Sequence, residues 1–392
     1  MGIFDRLFQN KQIKEANSYF KTLTAYQPVF TSWGGKLYES ELVRSSIDAR
    51  ARHNSKLRVT VTGNAKPKLK NNLLYRPNSF QTWSQYLYRL STILDMQNTA
   101  FVVPEFDVRT LEIVGYYPVL PSRVEILEDK TKQAWLRYTF SNGQVGVVEF
   151  DKCGIMTKFQ YENDFFGSSN TALNNTMDLI NIQNQGIKEA VKNSATFRFM
   201  AKVTNFTKPE DLSKERQKFS ENNLSADAAG GGLLLFPNTY SEIKQVQNNA
   251  FNVDPKQREL IEKNVYNYFG VNEAILQNKA IGDEWNAFYE GAISVFSIQF
   301  SEVHTKISFT KEQILAGASI NATANRLQYM SNSDKLKVSS QMADRGIMTR
   351  NEIREIWNLD PLPGGDVATI RGEYYLLDDK GNIIKEEANE ND

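Results

Sequence analysis

The sequence predicts an α+β chain built from more than one module, and three observations carry that expectation. Alternating strands flank Asn142-Gly143, an amphipathic helix is written from Ser79 to Gln97, and a small strand-helix-strand unit spans Phe197 to Phe236. The 392 residues exceed one typical domain, so two or three modules, each with its own core, are expected. A content of 41% hydrophobic and 23% charged residues is ordinary for a folded chain, and no apolar run is long enough to span a bilayer. A soluble protein is expected.

Between Ser40 and Leu57, Leu42, Val43, Ile47 and Ala51 recur at helical spacing with arginines on the other face, and Val59-Thr60-Val61-Thr62 then reads as a strand. Lys66, Lys68 and Lys70 around Pro67 read as a solvated loop, although the basic balance of this region leaves contact with nucleic acid or an acidic partner open. Ser79 is the expected N-cap of the next helix, whose Trp83, Leu87, Leu90 and Leu94 form one apolar stripe. Strands follow from Ala100 to Phe106, Leu111 to Val119, Trp135 to Phe140 and Val145 to Phe150. Asn142-Gly143 predicts a type I′ hairpin, in which both turn residues take positive φ. The first module thus places helices before an antiparallel sheet. Cys153, the single cysteine, excludes an internal disulfide and is expected to pack in a strand.

From Thr171 to Ala195 the period returns to helical, with Leu173, Met177, Ile180, Ile187 and Val191 on one stripe. The β-α-β unit then runs through a strand from Phe197 to Val203, a charged helix from Lys208 to Asn222 that begins near Pro209, and a strand from Gly232 to Phe236. Asp254-Pro255 opens a helix to Gly270, with a carboxylate as N-cap and proline in the first turn. A polar loop from Gly270 to Asp283 precedes a helix from Glu284 to His304 containing Trp285, Phe288, Tyr289, Ile293, Phe296 and Phe300. That helix is apolar nearly all round, so other elements or other subunits are expected to bury it. Ser333 or Asp334 caps a helix that stops at Gly346, and Thr349-Arg350-Asn351-Glu352 is a capping box for a second, whose Ile353, Ile356 and Trp357 are expected to pack inward. Pro361 and Pro363 prevent its continuation, and the acidic residues from Lys385 onward are expected to be disordered.

Basic and acidic residues both number 46, so net charge gives no general affinity for phosphate. Residues 1–100 hold 15 basic and 6 acidic side chains and residues 343–392 hold 6 and 12, so the two ends carry opposite sign. The opening Met1-Gly2-Ile3-Phe4-Asp5-Arg6 has no hydroxyl residue where a myristoylation signal needs one, and neither anchoring nor export is expected. His53 and His304 lie in helical patterns away from the cysteine, too few ligands for zinc and a basis for only a coincidental Ser-His-Asp triad. No Gly-x-x-x-x-Gly-Lys-[Ser/Thr] is present, and Gly230-Gly231-Gly232 precedes a strand, which makes it a turn and not a phosphate cradle. Asp164-Phe165-Phe166-Gly167 lacks the companions of a kinase motif. Glu210-Asp211, Asp283-Glu284 and Asp378-Asp379 would serve a metal ion or, more simply, the dipoles of helices. No catalytic residue, cofactor or metal ligand is assigned, and no enzymatic activity is expected.

The segment Gly346-Ile347-Met348-Thr349-Arg350-Asn351-Glu352-Ile353-Arg354-Glu355-Ile356-Trp357-Asn358-Leu359-Asp360-Pro361-Leu362-Pro363-Gly364-Gly365-Asp366 is a stop, a capped helix and a rigid exit. It closely resembles the C-terminal signature of the HK97-type phage portal protein family, with Gly346, Thr349, Asn351, Glu352, Arg354, Trp357, Gly364, Gly365 and Asp366 as its marked positions. The opening Met1 to Asp5, the helix from Ser40 to Leu57, the turn from Tyr117 to Val124, the helix after Gly167-Ser168-Ser169, and Tyr268-Phe269-Gly270-Val271-Asn272-Glu273-Ala274-Ile275-Leu276 have family counterparts in that order. The resemblance covers Met1 to Asp366. It departs at Ser169-Asn170 and at Asn272, where family members usually carry proline.

The resemblance implies a multi-domain portal fold: an α+β wing at 1–169, a stem helix at 170–195, a small β-α-β clip at 196–253, a second stem helix at 254–269, a tunnel loop at 270–283, a wing helix and strands at 284–330, and a crown with an acidic tail at 331–392. It implies a non-enzymatic ring of twelve subunits at one capsid vertex, through which double-stranded DNA is packaged and ejected without sequence readout. The implied partners are other copies of the chain, double-stranded DNA, the terminase large subunit, a head-tail adaptor, the major capsid protein and a scaffold; no membrane and no cofactor are implied. The implied location is the virion, and the host cytoplasm during assembly. Gln277, Asn278 and Lys279 are candidates for the DNA-facing loop or form an ordinary surface loop, and Lys208, Glu210, Lys214 and Arg216 are candidates for the clip's docking face. Few fixed cations suit a channel in which DNA slides, since each phosphate contact adds affinity. The alternatives are another head-tail connector or capsid-associated structural protein and, as an enzyme, a metal-dependent nuclease or phosphotransferase using Asp283 and Glu284.

Overall fold

Strand β1 (Lys21–Tyr26) precedes helix α1 (Glu41–Asn54), which buries Val43, Ile47 and Ala51, the stripe expected from their spacing. The computed structural model describes residues 21–26, 32–33, 35–107, 109–110, 112–194, 199–203, 208–223, 240–245, 254–324 and 332–371. After β2 (Arg58–Thr62), the lysine-rich segment is not the expected loop. It forms α2 (Pro67–Tyr75), with Pro67 at the first turn, where its missing N–H costs nothing, and Leu69 and Leu73 buried. The cap of α3 (Trp83–Gln97) also differs from expectation. Thr82 accepts from the Gln85 N–H in a reciprocal capping box, while Ser79 gives its N–H and hydroxyl to the Glu105 carboxylate at 2.9 and 2.5 Å.

The strands β3 (Thr99–Phe106), β4 (Ile113–Val119), β5 (Arg123–Glu128), β6 (Ala134–Thr139), β7 (Val145–Glu149) and β8 (Gly154–Thr157) build two antiparallel sheets, not one. Their orders are β1-β5-β6-β7 and β8-β3-β4. Phe101, Val103, Val119, Val124, Ile126, Leu136, Tyr138, Val148, Cys153 and Phe166 form a single buried cluster to which both sheets contribute. Each large side chain removed from water there contributes about 1.5–3 kcal/mol. The β6–β7 hairpin exists, but its turn is not type I′. Only Gly143 takes positive φ (81°), its N–H donates to the Phe140 carbonyl at 2.9 Å, and Asn142 accepts from the Gln144 N–H through its side chain. A local side-chain bond thus replaces the second left-handed residue.

The chain divides into two units, Met1–Leu173 with Val265–Asp392, and Asn174–Asn264. The second unit holds α4 (Asn174–Ser194), β9 (Phe199–Val203), α5 (Pro209–Asn223), β10 (Tyr240–Gln245) and most of α6 (Pro255–Phe269). Strands β9 and β10 pair antiparallel. The expected strand from Gly232 to Phe236 and the glycines before it lie outside the described residues, and the described partner of β9 starts at Tyr240. Met177 and Ile180 of α4 are buried, whereas Val191, from the same expected stripe, is exposed. Asp254 accepts from the Lys256 N–H at 3.0 Å at the start of α6, as its position before Pro255 predicts.

The first unit resumes with α7 (Glu273–Leu276) inside the expected loop, then α8 (Gly282–Phe288), a π-helical turn over Tyr289–Ile293, and α9 (Ser294–Ser308). The wider π turn adds one residue, and Phe288 just before it and Tyr289, Ala292 and Ile293 within it are all buried. Val295 and Ile298 on α9 are exposed, whereas Phe296 and Phe300 on the same helix are buried. His304 is fully buried on α9. Its Nδ1–H donates to the Phe300 carbonyl at 2.8 Å, so Nε2 accepts from the Tyr86 hydroxyl at 2.8 Å.

After α10 (Lys311–Leu315), β11 (Ser319–Thr323) pairs with β2 across more than 250 intervening residues. The last elements are α11 (Asn332–Asp344), β12 (Arg345–Thr349), α12 (Arg350–Ile356) and β13 (Ala368–Ile370), with β12 and β13 antiparallel. Ser333 and Asp334 lie inside the first turn of α11 and not at its cap, and Gly346 belongs to β12, two residues beyond the helix end. The acidic segment from Lys385 lies outside the described residues.

Candidate functional site

Helix α6 ends in a left-handed turn that launches the polar segment 270–283. Gly270 takes φ +65°, its N–H donates to the Asn267 carbonyl at 3.1 Å, and the Val271 N–H reaches the Tyr266 carbonyl at 2.9 Å. These are the two bonds of a Schellman cap. Asn272 then caps α7 by accepting from the Ile275 N–H at 2.9 Å, and its amide donates to Glu284 Oε1 at 2.6 Å. Asparagine thus does at this position what proline could not, since it both accepts a cap bond and donates a second one.

Gln277, Asn278 and Lys279 come together at the other end of α7. Asn278 is left-handed (φ +57°), the Lys279 N–H bonds the Ala274 carbonyl at 2.8 Å, and the Asn278 N–H bonds Ile275 at 3.2 Å. The three residues therefore form a second cap of the same kind, with all three side chains exposed. Lys279 Nζ donates to Gln277 Oε1 at 2.7 Å, and Gln277 donates to Glu273 at 2.6 Å. The arrangement presents one cation on a short, ordered crest.

At the end of α6, where this segment departs, lies a buried polar network that sequence reasoning missed. Asp95, on the last turn of α3, is 1% exposed and pairs through Oδ1 with Lys158 Nζ at 2.7 Å and through Oδ2 with Arg50 Nε at 3.0 Å. Arg50 also donates to the Phe269 carbonyl at 2.8 Å. Two cations face one carboxylate here, and the carbonyl at the C-terminal end of α6 supplies part of the missing negative potential. Burial pushes the Lys158 ammonium below its ordinary pKa, with Arg50 adding to the effect and Asp95 opposing it. Asn170 donates to the carbonyls of Asp95 and Met96 at 3.1 and 2.8 Å, and its Oδ1 accepts from Asn98 at 2.7 Å and from the Tyr268 hydroxyl at 2.6 Å. Gly167 is required beside it, because a Cβ there would overlap the carbonyls of Asn98 and Lys158. The sequence-level signal for this network was a carboxylate, Asp95, directly after Leu94 on a helix otherwise read as an apolar stripe.

The C-terminal signature resolves into a local knot. Thr349 accepts from the Glu352 N–H at 3.2 Å, and the Thr349 N–H donates to Glu352 Oε2 at 2.7 Å, so the expected capping box is present. Asn351 donates to the Leu362 carbonyl and to Asp366 Oδ1 at 3.1 and 2.8 Å, and its Oδ1 accepts from the Leu362 N–H at 2.8 Å. A Cβ on Gly365 would overlap the Asn351 side chain, and Gly364 and Gly346 both take positive φ. Arg354 donates to the Asp360 carbonyl at 2.7 Å, and Trp357 donates through Nε1 to Ser339 at 3.0 Å. Ile356 is buried, but Trp357 is 38% exposed, so it does not pack fully inward as expected. The marked positions thus satisfy the backbone or fit a tight turn, except Trp357 and Asp366, whose bonds go to the side chains of Ser339 and Asn351.

Lys208, Glu210, Lys214 and Arg216 are exposed at the start and along the first half of α5, Glu210 within its first turn. Asp283 and Glu284 lie in the first turn of α8, where they oppose the helix dipole. Among the described residues no three His, Cys, Asp or Glu side chains converge as a metal site, and no helix is long and apolar enough to cross a membrane.

The family model described as phage portal protein matches residues 41–358. Among curated proteins none matches. Among solved structures, the neck of a native gene transfer agent particle computed with C12 symmetry is 13% identical with a TM-score of 0.59, covering 90% of this chain and 99% of the other. The neck of the empty particle, computed with C6 symmetry, gives the same identity and TM-score over 89% and 99%. A HK97 family phage portal protein from Corynebacterium diphtheriae is 9% identical with a TM-score of 0.48, over 76% and 96%. At 13% identity the likeness to the two necks speaks for the fold, whereas the sequence match extends from α1 to the turn that ends α12. The chain belongs to the phage portal protein family.

Proposed function

We propose that the chain is the subunit of a ring of twelve at one capsid vertex, through which double-stranded DNA enters and leaves the particle, acting as a conduit without catalysis of its own. The observation that carries this reading is the family match over residues 41–358. The similarity of fold to a neck computed with C12 symmetry supports the ring and its place in a virion. The exposed Val295 and Ile298 on α9 support it physically, since a heterologous contact that closes on itself would cover them. In this reading 1–169 is the wing, 170–195 and 254–269 the stem helices, 196–253 the clip, 284–330 the return to the wing and 331–392 the crown.

Gln277, Asn278 and Lys279 face the DNA, and the exposed Lys208, Glu210, Lys214 and Arg216 on α5 face the terminase large subunit and later the head-tail adaptor. The major capsid protein and a scaffold meet the outer surface, and assembly takes place in the host cytoplasm. Few fixed cations at the crest, with Lys279 the one cation among residues 277–279, keep phosphate affinity low enough for DNA to move. Electron microscopy of the purified full-length protein tests the proposal: closed twelve-membered rings are expected, and monomers under every condition of salt and concentration would overturn it.

A further inference from the structure

One helical turn of α1 holds three successive points of segment 269–288. Arg50 donates to the Phe269 carbonyl at 2.8 Å, at the residue from which the segment departs. Arg52 donates to Asn278 Oδ1 at 3.3 Å, at the crest. The His53 ring lies 4.7 Å from Trp285 and 5.4 Å from Phe288, on the helix into which the segment runs.

Arg50 and Arg52 are themselves fixed from behind. Asp95 holds Arg50 at 3.0 Å. Asp48 holds Arg52 at 2.8 Å and accepts from the Tyr88 hydroxyl of α3 at 2.7 Å. His53 is kept uncharged, mainly by burial and then by Lys56 and Arg52, so it packs as an aromatic ring and not as a cation.

We infer that Arg50, Arg52 and His53 are the positioning residues of the crest: they set where Gln277 and Lys279 stand, although none of the three belongs to the segment they place. This rests on the reading that the crest faces DNA. The chemistry of the contacts supports a division of work among the three. Arg50 is buried and shares its charge with Asp95, so it serves as a permanent anchor. The contact of Arg52 is a single, longer bond at a partly exposed side chain, so its loss releases the crest without unfolding the helix that carries it. Asparagine at 278 fits both requirements, since it tolerates φ +57° and offers the oxygen that Arg52 needs.

Hydrogen–deuterium exchange on the full-length protein tests the inference through the amides of Lys279 and Ala280, which both bond the Ala274 carbonyl. In Arg52→Ala these amides are expected to exchange roughly tenfold faster, the effect of losing one charge-assisted hydrogen bond, while α3 and the melting temperature stay unchanged. Arg52→Lys, whose ammonium keeps the charge beside Asp48 and can still donate to Asn278 Oδ1, is expected to retain protection. Unchanged exchange at 279 and 280 in Arg52→Ala, or equal acceleration throughout α1 and α3, would overturn the positioning role. A second arm measures packaged DNA per particle for Arg52→Ala and for Lys279→Ala. Faster crest exchange with normal DNA content in both variants would uphold the positioning role and sink the DNA-facing reading.

Discussion

The Tyr268 hydroxyl donates to Asn170 Oδ1 at 2.6 Å, joining the residues just before the chain enters the 174–264 unit to those just after it leaves. The same Asn170 side chain bonds the backbone of α3 at Asp95 and Met96. The two crossings are therefore fixed to one helix by buried polar contacts, and the consequences can be measured.

Asp95→Asn leaves Arg50 and Lys158 facing each other without a counter-charge, which is expected to destabilise the fold by about 3–5 kcal/mol. Replacing all three by apolar residues of similar volume is expected to recover most of that loss. Denaturant titration of both variants decides the matter: an Asp95→Asn protein as stable as the parent would show that the triad is inert.

Stability depends on pH through His304. Burial lowers its pKa from 6.5 to about 4, whereas in the unfolded chain it titrates near 6.5. The folded state therefore binds fewer protons between these values. Its contribution is complete above pH 6.5, falls as pH drops toward 4 and is flat below, a loss of about 3 kcal/mol at most. His304→Gln, which can still accept from Tyr86, is expected to show a shallower decline in urea unfolding between pH 7 and 4.5. Equal slopes in parent and variant would contradict the assignment.

In the C-terminal knot, Thr349→Ala removes the cap of α12 and is expected to cost about 1 kcal/mol. Gly365→Ala is expected to cost about 1–3 kcal/mol, because the new methyl group displaces Asn351 from its three hydrogen bonds. Limited proteolysis between Leu359 and Asp366 reads both, and cleavage no faster than in the parent would show that the knot does not depend on these positions.

Cys153, just before β8 and not within a strand, is buried in the cluster to which both sheets contribute, and burial pushes its thiol well above the usual range. A water-soluble disulfide reagent at pH 8 is expected to leave the folded protein unmodified and to react with one thiol after denaturation. Prompt reaction in the native state would show that the two sheets separate.

The sequence by itself determined those features whose causes lie within a few residues. Thr349 and Glu352 make a capping box wherever they meet a helix start, Asp254-Pro255 opens α6, and the stripe of Val43, Ile47 and Ala51 faces inward because of helical period alone. The signature that identified the family is of this local kind, since Asn351, Gly365 and Asp366 fold onto one another. Where a local rule failed, a distant partner or a side-chain bond had replaced it. Ser79 lost the cap to Thr82 because Glu105 claimed its hydroxyl, and Asn142 escaped positive φ by bonding Gln144. Pairing of β2 with β11, the meeting of Asp95 with Arg50 and Lys158, and the grip of α1 on the crest join residues tens to hundreds of positions apart. No periodicity records such meetings. They arise only when packing of the apolar faces brings the elements together, after which each buried charge must find its partner or remain unpaired at a cost of several kcal/mol.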